Sequence, residues 1–162
     1  MKPAKILFLV SLCAALHADT IPPERVYGRA FIEVVRAATV CEAQRISVEY
    51  QPTRNDSSVL KITPKEELHV LPPESLGLLK HAFLRRPEAH RATKFCMPTP
   101  GIQYVFRSKS ASTSILVCYK CRMAVVELGG KIIAQDDLDD VIADLRRVAE
   151  SFLSPTELAT LP

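Results

Sequence analysis

Residues 101–135 read GIQYVFRSKSASTSILVCYKCRMAVVELGGKIIAQ, and this stretch decides the fold class. Ile102, Tyr104 and Phe106 alternate with Gln103, Val105 and Arg107. A period of two is the mark of a strand with one buried face. Ser108 to Ser112 is a small polar cluster and reads as a turn. Ser114 to Leu128 is a long β-rich run, Gly129-Gly130 a second tight turn, and Lys131 to Ile133 a returning strand. The segment therefore predicts a three-strand antiparallel meander.

Downstream the period changes. After Asp136-Asp137, residues Leu138, Val141, Ile142, Leu145, Val148 and Phe152 fall at helical spacing, with Pro155 as the stop. An Asp at that start would cap free N–H groups and suit the positive helix end. Upstream, Pro72-Pro73-Glu74 opens a helix carrying Leu76, Leu79, Ala82 and Phe83 on one face. Arg85-Arg86 fall in its last turn, and Pro87 stops it. Residues 87–95 form a basic loop with His90, Arg91 and Lys94. Farther back, Ile46, Val48 and Tyr50 alternate with polar residues, 52–58 is a loop, and Val59–Ile62 and His69–Leu71 are short strands. Tyr27, Phe31, Val34, Val35 and Ala38 give the first helical stripe. The sum is an α+β domain: an antiparallel sheet, with the meander at 101–135 and strands near 46–62, packed against about three amphipathic helices.

The first residues have a different character. Lys2 and Lys5 precede an apolar run from Ile6 to Leu16, small residues end at Ala18, and Asp19 opens a polar stretch. This is the layout of a secretory signal peptide over residues 1–18, with 19–162 as one mature domain. The run is too short to span a bilayer, which takes about 20 residues, and no other transmembrane segment is present. The expected location is outside the cytoplasm, periplasmic or secreted. Cys13 offers a lipid-anchor position, but Leu12 before it is larger than the small residue such a site uses.

Composition bounds the partners. The 162 residues are 48% hydrophobic and 24% charged, in the globular range. Lys+Arg is 21 against Asp+Glu 18, for a net charge of +3. Removing residues 1–18 deletes two lysines and no acid, leaving 19 against 18. That balance gives no footprint for nucleic acid.

Four cysteines remain after residue 18: Cys41, Cys96, Cys118 and Cys121. They carry the chemistry, since there is no nucleophile elbow, no Gly-rich phosphate loop and no other enzyme signature. On a regular strand, residues three apart point to opposite faces, so Cys118 and Cys121 meet only across a bulge or turn. A hairpin centred near 108–112 brings Cys96 beside the Cys-x-x-Cys. Three readings follow. In the first, Cys96 bonds Cys118 or Cys121 in a structural disulfide, as suits an exported chain. In the second, Cys96, Cys118 and Cys121 bind zinc, although a matching second half-site is missing. In the third, the Cys-x-x-Cys performs thiol–disulfide exchange, although such motifs sit at helix N-termini rather than inside a β-rich run. Cys41 reads as a buried apolar residue outside the cluster.

The stretch Cys96-Met-Pro98…Pro100-Gly-Ile102…Phe106, followed by Val117-Cys118-Tyr-x-Cys121, resembles a group of short exported bacterial proteins of unknown function. The likeness spans about residues 26–128. It implies that Cys96, Cys118 and Cys121 belong together and that Cys41 is extra. It brings no activity, and no catalytic residue is assigned. The function expected is therefore a cysteine-stabilised binding or accessory protein of the cell envelope, with a zinc module and then an oxidoreductase as alternatives.

Weaker constellations read as surface chemistry. His69, His81 and His90 lack paired metal spacing. Asp136, Asp137, Asp139 and Asp140 lack the alternating oxygen ligands and central Gly of a calcium loop and read as a solvated helix start. Lys80, Arg85, Arg86, Arg91 and Lys94 form a basic patch that reads as a solvated face, with an acidic partner or a cell-envelope polymer as its functional reading.

Overall fold

The computed structural model describes residues 22–52, 58–84, 96–128 and 131–162. The expected signal peptide, Cys13, the tip of the 52–58 loop, Arg85, Arg86, the basic 87–95 loop with His90, and the Gly129-Gly130 turn lie outside the described residues. Its elements run α1 (Pro23–Tyr27), α2 (Arg29–Ala37), β1 (Val40–Pro52), β2 (Ser58–Pro64), β3 (His69–Val70), α3 (Pro73–Leu84), β4 (Ile102–Arg107), β5 (Ser112–Cys118), β6 (Met123–Leu128), β7 (Lys131–Asp137), α4 (Ile142–Glu150) and α5 (Pro155–Ala159). All strand pairs are antiparallel, in the order β2-β1-β4-β5-β6-β7, with β3 also on β1. The fold is mixed α+β.

The long β1 explains the shape. Its first half, Val40–Arg45, pairs with β4, and its second half, Ile46–Pro52, pairs with β2. The Ile46 amide still reaches Gly101 O at 2.9 Å, and beyond it β1 leaves β4. The β1–β2 hairpin then curls over the sheet until β2 approaches β7.

Strand alternation divides the apolar residues into two cores. On one face Cys41, Ala43, Ile102, Tyr104, Phe106, Ile115, Val117, Ala124 and Val126 meet the helices. The centre is aromatic: Tyr27 lies 5.3 Å from Phe31 and 5.9 Å from Phe83, and Phe83 lies 6.2 Å from Phe106, ring centre to ring centre. On the other face, inside the curl, Ile46 and Leu60 pack with Leu116 and Val125, flanked by Val48, Tyr50, Ile62 and Ile132.

Four features differ from the sequence expectation. The first helical stripe is split at Gly28, whose φ of +84° ends α1 and redirects the chain into α2. The Ser114–Leu128 run is two strands joined at 119–122, so the meander has four strands rather than three. The last long helix begins at Ile142, not near Leu138: β7 continues through Asp137, and Leu138 and Val141 are buried from a turn. It ends at Glu150, and Pro155 opens α5, where Ser154 and Glu157 form a reciprocal capping box.

Asp136 is also not a solvated helix start. It is fully buried on β7 and accepts a hydrogen bond from the Tyr27 hydroxyl, which ties α1 to the sheet across 109 residues. Of the basic patch, Lys80 is the member among the described residues: its Nζ donates to Ala38 O at 2.6 Å and Arg36 O at 3.1 Å, satisfying carbonyls at the end of α2.

Candidate functional site

The cysteine motif closes the β5–β6 hairpin. Cys118 ends β5, Met123 opens β6, and the two are partners across the ladder, both buried. Residues 119–122 make the turn between them. Arg122 takes a φ of +51°, the one positive φ among the described non-glycine residues. That conformation is costly for a side chain other than Gly or Asn, so the surroundings must enforce it.

Every residue of the turn is held. Tyr119 plunges into the helix-side core, where its hydroxyl donates to Leu145 O at 2.8 Å and meets the Tyr104 hydroxyl at 2.7 Å. Burial pushes both phenols above their ordinary range. The Lys120 amide donates to Pro162 O at 3.0 Å, and the Leu138 amide to Arg122 O at 2.9 Å. The Cys121 amide donates to Cys118 Sγ at 3.2 Å, folding the tetrapeptide back on itself.

Cys121 then bonds Cys96, with Cα atoms 6.7 Å apart. This span is within the range a disulfide bridges. The bond ties the segment ahead of β4 to the turn after β5. That segment is anchored along its length: Pro98 O accepts from the Tyr50 hydroxyl at 2.6 Å, and the Gly101 amide donates to Val117 O at 3.0 Å. Burial, and next the neighbouring Cys118, raise the Tyr50 pKa.

The other sulfurs separate by face. Cys118 shares the parity of Leu116 and so faces into the curl. Cys96 Sγ lies 3.9 Å from Met123 Sδ. Cys96, Cys118, Cys121 and Met123 thus gather at one end of the β5–β6 hairpin. Cys41 lies apart on the helix-facing side of β1, and burial, with Glu42 adding to it, pushes its thiol up to about 12.

With the disulfide closed, no group of three His, Cys, Asp or Glu among the described residues is placed to hold a metal ion. His69 lies 3.8 Å from Glu66 and stacks near Phe152, while His81 is exposed on α3. Asp139 pairs with Arg122, and Asp137 accepts from the Asp139 amide. No helix of the described residues is long and apolar enough to cross a membrane.

Sequence reasoning missed one feature. A cleft of about 700 Å³ lies against the opposite side of the same turn, bounded by Tyr119, Lys120, Arg146, Glu150, Leu158 and Pro162. It joins residues from the 119–122 turn, α4 and α5 that are far apart in sequence. The local signal is a pair of cations, Lys120 and Arg122, inside an otherwise apolar run. No family model, curated protein or solved structure matches the chain.

Proposed function

We propose that this chain is an exported binding protein of the cell envelope, held rigid by its disulfide, whose ligand site is the cleft beside the 119–122 turn. The observation that carries the reading is the Cys96–Cys121 bond, which ties the segment before β4 to the turn whose Tyr119 and Lys120 border that cleft. A disulfide fits an oxidising compartment, in keeping with the signal-like first 18 residues. The cleft volume is in the range of small-ligand sites. Among the side chains lining it, Lys120 and Arg146 give two cations against one acid, Glu150, which favours a small anion.

Two measurements test this. Mass spectrometry of the protein recovered from the medium or periplasm should give a chain beginning at Asp19, ~2 Da lighter than its fully reduced form. NMR titration of the oxidised protein with small carboxylates and phosphates should shift the Lys120 and Arg146 resonances, and Lys120→Ala with Arg146→Ala should abolish the shifts. A chain retained in the cytoplasm with its first residues intact would refute export. A panel that leaves the cleft resonances unmoved would refute the anion site.

A further inference from the structure

We propose that the reduced form of the hairpin end is a three-sulfur binding site for a soft monovalent cation of the Cu(I) class, built from the thiols of Cys96 and Cys121 and the thioether of Met123, with buried Cys118 behind it and outside the shell. The site is distinct from the cleft and does not depend on the anion reading.

The donor set carries the choice of metal. Thiolate and thioether sulfurs select Cu(I), whereas a thioether is a poor zinc ligand. The thioether is already in place, since Met123 Sδ sits 3.9 Å from Cys96 Sγ. Sulfur bonds such ions at about 2.3 Å, so a trigonal arrangement needs sulfurs about 4 Å apart. The Cys96–Met123 spacing meets that requirement before any rearrangement. To complete the triangle, Cys96 and Cys121 part from bonding distance and Cys121 takes a like spacing from Met123.

The frame around the sulfurs is fixed by contacts that do not involve the disulfide. The Lys120 and Leu138 amide bonds, the buried Tyr119 and the Tyr50–Pro98 bond position both arms. The Cys121 amide on Cys118 Sγ closes the turn as a metal knuckle does, with the residue after the second cysteine at positive φ. Met123 and Cys118 are 1% exposed, whereas Cys96 and Cys121 lie at the rim, so an ion enters from outside and meets a dry sulfur floor.

The disulfide gates the site. A dithiol donor reduces the Cys96–Cys121 bond: two electrons and two protons pass to the two sulfurs, and the donor closes its own disulfide. Cu(I) then displaces the thiol protons, with no further electron transfer.

The test uses the full mature chain. One sample is reduced with a phosphine, desalted without oxygen and titrated with Cu(I) against a chromogenic chelator. One Cu(I) per chain is expected, held against the chelator, and none in the oxidised sample. Met123→Leu, which keeps the volume, should weaken Cu(I) about tenfold or more while leaving circular dichroism unchanged. X-ray absorption at the copper edge of the wild-type complex should show three sulfurs and no nitrogen or oxygen neighbour, a readout that needs no variant. The proposal fails if the reduced wild type yields all its copper to the chelator. It fails equally if Met123→Leu binds as tightly as wild type, if nitrogen or oxygen completes the shell, or if zinc displaces Cu(I).

Discussion

Replacing both Cys96 and Cys121 with Ala removes the bond without leaving a thiol free to pair with Cys118. The cross-link spans a sequence separation of 25. Confining a loop of that size in the unfolded chain costs it about 12 cal/mol/K, or about 3.5 kcal/mol at 25 °C. The native side of the balance changes little. Lys120 stays on Pro162, Leu138 on Arg122, Tyr119 on Leu145, and Tyr50 on Pro98 without the sulfurs. The loop also encloses the β4–β5 hairpin, so residual pairing in the unfolded chain reduces the entropy difference. The expected loss is therefore ~2–4 kcal/mol, with native circular dichroism retained and a urea m-value that rises as the unfolded state expands. Urea unfolding of the oxidised wild type and the double variant measures it, and reduced wild type supplies a second comparison without substitution. A loss under ~1 kcal/mol would show that the cross-link does not constrain the unfolded chain. A peptide map joining Cys118 or Cys41 to Cys96 would refute the connectivity itself.

Three further outcomes follow from particular contacts. Tyr27→Phe removes the hydroxyl that donates to buried Asp136 and should cost ~1–3 kcal/mol, read from the urea midpoint, with the aromatic stack intact; an unchanged midpoint would show that the bond contributes nothing. Gly101→Ala places a Cβ 2.6 Å from Pro162 Cδ, so the last residues must move, at ~1–3 kcal/mol; amide exchange at Lys120, whose N–H bonds Pro162 O, should quicken, and protection equal to wild type would contradict the packing. Stability should also fall in alkali. Cys41, Tyr104 and Tyr119 have folded pKa values raised by burial, so the unfolded chain releases their protons first. Their contribution is complete below the unfolded values, about 8.5 for Cys and 10 for Tyr, and is lost as pH rises toward the folded ones. Cys41→Ala should remove the part of the decline between about pH 8.5 and 10, ~1–2 kcal/mol; a wild-type urea midpoint flat to pH 10 would refute it.

Legibility in the sequence tracked how local each cause is. The alternation in Ile102–Phe106 is readable because β4 buries one face fully and leaves Gln103 and Val105 partly open. The next run is not, because β5 is buried on both faces: Ile115 and Val117 serve the helix-side core and Leu116 the inner one. A strand buried twice reads as a continuous apolar run, and its end is invisible without turn residues. The turn here has no Gly or Pro, and Arg122 takes the positive φ instead. Leu138 and Val141 mimic a helix because residues three apart in a buried turn share a face as they do in a helix. Asp136 mimics a cap until Tyr27, 109 residues away, supplies its partner. That Cys121 rather than Cys118 takes Cys96 depends on the 119–122 turn, which no Gly or Pro marks in the sequence.

The turn at 119–122 joins what the rest of the fold keeps apart. Its four residues are secured in four directions: Tyr119 to α4, Lys120 to the segment after α5, Cys121 to the segment before β4, and Arg122 to the turn after β7. Three of these anchors are hydrogen bonds to the backbone, which hold in either redox state. Only the fourth is covalent and reversible. Opening the disulfide therefore frees two rim sulfurs without releasing the cleft wall, because Tyr119 and Lys120 are fixed from the other side. A hairpin end of this kind can exchange its sulfur chemistry while the cleft keeps its shape. That independence is why cleft occupancy and metal binding are separable in experiment, although one four-residue turn borders both.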